Sequence, residues 1–267
     1  MTDSLYLYWR YIGISIRSQM QYRVSFVMQS IGHFGVTGVE FLGVLMLFSR
    51  FETLGQWSLP EVAFLYGLVN ISFAFADAIS KGFDNFGSMV KSGDFDRLLL
   101  RPRSTALQLA GQEFVLRRVG RLAQGLAVFI WANTALDIDW TVAKVLLTMT
   151  AVFGGAALFS GLIVLQATLA FWTTETLEIM NTVTHGGVET TQYPLAIYRP
   201  WFRRFFTYVV PLGSVSYFPA LAVIGRPDPL GSPLWFQYTA PVIGIVFLLI
   251  CLQVWKVGVR HYVSTGN

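Results

Sequence analysis

The chain has 267 residues, a mean hydropathy of +0.54 and a net charge of +4, with 54% hydrophobic and only 13% charged residues. A soluble domain carries nearer about a quarter charged residues, and several stretches here run almost uncharged for about 20 residues, the length that crosses a bilayer core as a helix. This excludes an ordinary soluble domain and gives an all-α polytopic membrane protein, because irregular backbone or open sheet at membrane depth leaves peptide groups unsatisfied.

Residues 1–23 have no uninterrupted apolar core and no small-residue cleavage pattern, so they do not read as a cleavable signal. Leu5, Trp9, Ile12 and Ile16 fall on one helical face, with Arg10 and Arg17 beside or opposite them. That suits an interfacial helix on the cytoplasmic leaflet, although the same pattern serves as the basic flank of a first span. Spans follow at about Val24–Phe48 and Leu59–Ser80, then Val119–Leu136, a tight turn holding Asp137 and Asp139, and Ala143–Trp172. A last span covers about Trp235–Trp255, after the breaker-rich loop "GRPDPLGSP" (225–233).

Orientation follows from the bases. Lys81, Lys91, Arg97, Arg101, Arg103, Arg117, Arg118 and Arg121 lie between the second and third spans, three arginines precede the first, and Lys256 and Arg260 follow the last. All fall on one side if both termini and the 81–121 segment are cytoplasmic. Both termini inside requires an even number of crossings, so 173–225 must supply one more, giving six. Bases at membrane margins fix topology and meet anionic lipid, so the net charge gives no reason to expect a nucleic-acid partner.

Ionisable residues at membrane depth face a cavity or each other. His33 and Glu40 are nearly on one face of the first span and suit a polar contact between helices, and Asp77 precedes Lys81 by four, which suits an ion pair. Glu175, Glu178, Thr182, His185 and Glu189 keep helical phase over several turns. They read as one wet face, either of a helix bordering a translocation cavity or subunit interface, or of an amphipathic helix on the cytoplasmic surface. Small residues recur at Gly32, Gly35 and Gly38 and at Gly154, Gly155, Ser160 and Gly161, and permit close helix packing within or between subunits.

Catalysis has little support. His33, His185 and His261 stand alone, H-E-x-x-H is absent, "GSVSY" is not the G-x-S-x-G elbow, and the single Cys251 excludes an internal disulfide and a Cys-based zinc cage. No catalytic, cofactor or metal residues are assigned. There is also no G-x-x-x-x-G-K-[ST] to cradle nucleotide phosphates.

"VKSGDFDRLLLRP" (90–102) sets Lys91, Asp94, Asp96, Arg97 and Arg101 around Phe95, Leu98, Leu99 and Leu100. From the residues alone it is either a short amphipathic helix for a partner's groove or a loop on lipid headgroups. The order of "GDFDRLLLRP" (93–102), "STALQLAGQEFVLRRVG" (104–120), "QYPLAIYRPWFRRFFTYVVP" (192–211), "SYFPALAVIG" (216–225) and "WKVGVRHYVSTG" (255–266) resembles the permease subunit of a type-2 ABC transporter, exporter class. The resemblance implies a single transmembrane permease domain over 1–267 in the inner (plasma) membrane. It makes 82–118 a cytoplasmic coupling segment, with Gly93, Asp94, Phe95, Asp96, Arg97, Leu98, Leu99, Arg101 and Pro102 docking on an ATPase. Phe95, Leu98 and Leu99 would fill its groove, and the charged residues would form the rim.

Partners implied are two copies of an ABC ATP-binding subunit, which holds ATP and Mg, and a second permease, same or different. Residues 194–225 would form a re-entrant outer gate before span six, carrying Pro194, Arg199, Arg203, Arg204, Pro211 and Pro219, with its arginines meeting phosphate groups at the outer surface. Pro211 and Pro219 suit a broken hairpin, whereas charge bias alone prefers 173–204 inside and 205–225 as the crossing. A non-ATP-driven channel or membrane scaffold is the alternative function, and an intramembrane enzyme the remaining one.

Overall fold

The computed structural model describes residues 2–113, 115–173, 184 and 186–264. Among these the regular structure is helical, apart from one isolated bridge between Leu54 and Trp57. α1 (Thr2–Gln21) meets α2 (Arg23–Arg50) at Tyr22, whose φ of −110° and ψ of 60° leave the helical region and make an elbow. α2 has 28 residues, roughly 42 Å of helix, which exceeds the ~30 Å of a bilayer core.

α3 (Leu59–Ser80) starts sharply. Ser58 donates its N–H at 2.7 Å and its hydroxyl at 2.9 Å to the Glu61 carboxylate, and Pro60 sits in the first turn, where a missing N–H costs nothing. Short pieces follow: α4 (Phe86–Ser92), α5 (Phe95–Leu99) and α6 (Thr105–Gln112). The chain returns as α7 (Val119–Leu136), turns where Asp137 adopts a φ of 48°, and goes back as α8 (Val142–Leu169). Beyond it come a helical turn over 186–191 (α9), α10 (Pro200–Arg204), α11 (Tyr217–Ile224), α12 (Leu234–Thr239) and α13 (Pro241–His261).

α3 is the centre. Every residue from Glu61 to Ala74 is buried, because α7 and α8 flank it, with α2 outside α7 and α13 outside α8. Four helical stretches are long and apolar enough to cross a membrane: α2, Leu59–Ser92, α8 and α13. α7 is shorter and carries Arg121, Gln124 and Asn133, yet it packs along both α2 and α3. A further apolar pair, Pro200–Val209 and Leu212–Ile224, is bent by 74°. Among the described residues the polytopic helical class therefore holds, with four or five membrane-capable helices.

The expected second and third spans coincide with α3 and α7. The fourth ends at Leu169 instead of Trp172, and the last begins at Pro241 instead of Trp235. Proline has no N–H to bond back into α12, so the helix restarts there.

Two bundle ends result from the alternating directions of the long helices. The 81–118 segment, α1 and the carboxy-terminal ends of α8 and α13 share one end: Tyr11 packs on Gly111, and Phe86 stacks on Phe171 and Trp255 at 4.9 and 4.8 Å. The 51–58 turn marks the other end.

α8 and α13 approach with backbone nearly on backbone. A Cβ at Gly154 would overlap the Pro241 carbonyl, and one at Gly244 would overlap the Gly154 carbonyl, whereas Gly32, Gly35 and Gly38 of α2 have nothing within 4 Å. Gly154→Val or Gly244→Val is therefore expected to destabilise the detergent-solubilised protein by about 1–3 kcal/mol. Gly35→Ala should leave its melting temperature unchanged in the same thermal-shift assay.

Candidate functional site

The 90–102 stretch is two helical pieces around a left-handed corner. α4 ends at Gly93, whose φ of 76° is a conformation glycine adopts without a Cβ penalty. α5 then has five residues, too few to be stable alone. Packing fixes it: Phe95 is fully buried, with Phe86 and Tyr262 each 5.0 Å away and Phe171 at 5.6 Å. Leu98 is buried beside it in the cluster that holds Val90, Leu109 and Trp255.

Polar ties complete the platform. Gln108 donates to the Leu98 and Arg103 carbonyls at 3.3 and 3.2 Å, Trp255 donates to the Thr105 hydroxyl at 3.0 Å, and Ser264 donates to Asp96 at 2.6 Å. Burial and the neighbouring Asp96 carboxylate raise the Tyr262 phenol above its ordinary pKa.

This corrects one expectation. Phe95 and Leu98 are not offered to a partner; they lie three apart, share one helical face, and turn it into the chain's own aromatic cluster. The outward surface is instead Leu99 at 41% exposure and Leu100 at 85%, with Lys91, Arg97, Arg101, Pro102 and Arg103 exposed around them. Asp94 and Arg97 pair at 3.4 Å on that surface, an exposed contact of small energetic weight.

Two arginines at the start of α7 are largely covered in a polar network that local sequence spacing does not reveal. Arg118 pairs with Asp77 at 2.5 Å and lies 3.5 Å from the His33 ring nitrogen. Arg121 donates to Asn70 at 2.9 Å, lies 4.0 Å from Glu40 and covers the Phe73 ring at 4.6 Å. Asp77 thus does not pair with Lys81, which bonds Asp84. His33 and Glu40 share a helix, but each meets a different arginine.

At the opposite end, Arg226 ties a distant loop to the start of α3. It pairs with Glu61, donates to the Gln56 carbonyl at 2.6 Å and stacks 4.3 Å above the Trp57 ring. Sequence reasoning missed this residue. Its only signal was a lone arginine beside glycine and prolines in 225–233, with no local acid at helical spacing.

The 194–225 region sits at this same end. Pro194 precedes a tight turn at Leu195–Ile197, Arg199 precedes α10, and Pro211 stands at the 74° break that follows a π-helical turn at Phe205–Val209. Pro219 is not a break: it lies in the first turn of α11 and is buried. Tyr217 donates to Asp228 at 2.7 Å and stacks on Trp57 at 5.8 Å. Arg199 and Arg204 are exposed and Arg203 half-buried.

Of the polar stripe, Glu175, Glu178, Thr182 and His185 lie outside the described residues. Glu189 is on α9 and exposed, and the nearby Thr184 hydroxyl donates to Gln166 at 3.2 Å.

Residues 34–266 match a family model described as ABC-2 family transporter protein. The match includes the exposed strip at 97–103, Arg118 and Arg121, and the bent 200–224 element. No curated protein and no solved structure matches the chain.

The inward packing makes a separable prediction. Phe95→Ala should cost about 3–5 kcal/mol, and Leu98→Asp should abolish folded yield by burying a charge. Leu100→Asp should leave the size-exclusion profile and melting temperature of the detergent-solubilised protein unchanged.

Proposed function

From the chain's membership of the ABC-2 family of transporter proteins, we propose that it is the membrane subunit of an ATP-driven exporter in the plasma membrane. It forms the pathway with a second permease, identical or different, and two ATP-binding subunits hold and hydrolyse ATP with Mg on separate chains. The observation that carries this reading is the strip from Arg97 to Arg103. Two exposed leucines stand among bases on a platform that the chain's own aromatic cluster holds rigid. A rigid apolar knob with a charged rim is what a helix-binding groove receives, and the rim sets partner choice more than affinity.

Side and count follow. The strip, α1 and the carboxy-terminal end of α13 share one bundle end, where Lys91, Arg101, Lys256 and Arg260 gather. The positive-inside bias makes that end cytoplasmic. Phe171 lies at that end and Ala196 and Ile197 beside the 51–58 turn at the other, which supports a crossing between them, six in all, with 194–225 as the external gate. The Glu175, Glu178, Thr182, His185 and Glu189 face is then proposed to border the pathway.

A Leu100→Asp, Arg101→Glu variant of the tagged chain should lose its co-purifying ATPase while keeping its melting temperature; an unchanged ATPase yield would sink the docking assignment. For the gate, Arg203→Cys in a Cys251→Ser background should react with a membrane-impermeant thiol reagent applied outside intact cells. Labelling only after permeabilisation would place 194–225 in the cytoplasm.

A further inference from the structure

We infer that the groove between α10 and α12 is a binding site for the phosphate headgroup of an anionic glycerophospholipid. The groove has a volume of about 480 Å³. Arg203, Arg204 and Thr207 form one wall, while Phe218, Trp235 and Phe236 form an apolar floor and far side.

The arginines are available. Among the described residues neither Arg203 nor Arg204 has a carboxylate within ion-pair distance. The acid that lines the groove, Asp228, is occupied: its oxygens accept from the Tyr217 hydroxyl at 2.7 Å, the Leu230 N–H at 2.9 Å and the Ser232 N–H at 3.0 Å. Two guanidinium groups against one spent carboxylate leave the groove net positive, and guanidinium matches phosphate geometry with paired N–H donors.

The surroundings choose a lipid as the source. Trp201, Tyr208 and Trp235 are 66%, 81% and 69% exposed around the groove. Exposed amphipathic rings clustered at one bundle end mark headgroup depth. The molecules present at that depth carry a phosphate beside acyl chains, and the groove offers arginine beside aromatic carbon in the same order. The site needs only that this bundle end faces a membrane–water interface, so it stands whether or not the ATPase docking is correct.

The test uses the full-length detergent-purified chain, titrated separately with phosphatidylglycerol and phosphatidylcholine and read by native mass spectrometry. Near a surface each arginine is worth about 1 kcal/mol toward an anionic headgroup, so Arg203→Gln with Arg204→Gln should weaken phosphatidylglycerol binding about tenfold or more. Phosphatidylcholine binding should change little, and Lys144→Gln, which removes a charge elsewhere at the same end, should change neither.

If the double variant does not fold, the exposed Arg204→Gln alone should lower phosphatidylglycerol affinity severalfold. Equal affinity for the two lipids in the wild-type chain, or no loss in the arginine variants, overturns the site. Displacement of the lipid by millimolar inorganic phosphate also overturns it, by showing a soluble-anion site instead.

Discussion

A helix enclosed on all sides can keep a carboxylate only where a cation meets it, since an unpaired charge in a dry interior costs several kcal/mol. α3 carries two, Glu61 near its start and Asp77 near its end, and both are largely buried. Each is met by an arginine from far along the chain, Arg226 for Glu61 and Arg118 for Asp77. These pairings set where the rest can go. The 225–233 loop is drawn over the 51–58 turn at one end, and the start of α7 is drawn against α3 at the other. Between the two joints α3 presents an almost uncharged surface, and α7 and α8 close on it.

The two joints also relate the two surfaces of interest. The exposed strip at 97–103 and the bent element at 200–224 lie at opposite ends, and among the described residues no side chain spans them. What they share is α3: one end adjoins Phe83 and the 81–118 platform, and the other holds Arg226, which leads back through Gly225 to α11. A packed helix moves as a body more readily than it deforms. α3 is thus a closely packed rod tied by an ion pair near each end.

Long apolar runs made four span boundaries legible in the sequence to within a few residues, and those of α3 and α7 to the residue. Pro211 was legible as a break for a local reason, its missing N–H. Pro219 was not, since proline breaks a helix only beyond the first turn and the sequence does not say where α11 starts. The inward turn of Phe95 and Leu98 was equally hidden. Amphipathicity shows that a five-residue helix has an apolar side, but not whether that side meets Trp255 and Phe171 of the same chain or another protein. Asp77 shows the remaining limit: spacing proposes Lys81 four residues on, while the actual partner arrives only when α7 folds back.

The bend at Pro211 would be untenable in lipid, where its freed backbone groups would have no partners. It survives because residues 210–223 are buried without exception, and because the chain closes its own turns there. Val210 donates to the Phe205 carbonyl at 3.0 Å, Ser214 to that of Pro211 at 3.1 Å and Ala220 to that of Ser216 at 3.0 Å. α2 shows the converse. It is regular throughout and keeps its backbone satisfied within itself, so it needs no cover, and Ile31, Phe34, Val36, Val39 and Leu42 stand exposed along it with Gly32 and Gly35 open between them. The irregular backbone is thus folded inside the subunit, and the apolar surface left for acyl chains or a neighbouring subunit lies on regular helices, α2 and also α13, where Ile245, Leu249 and Ile250 stand exposed.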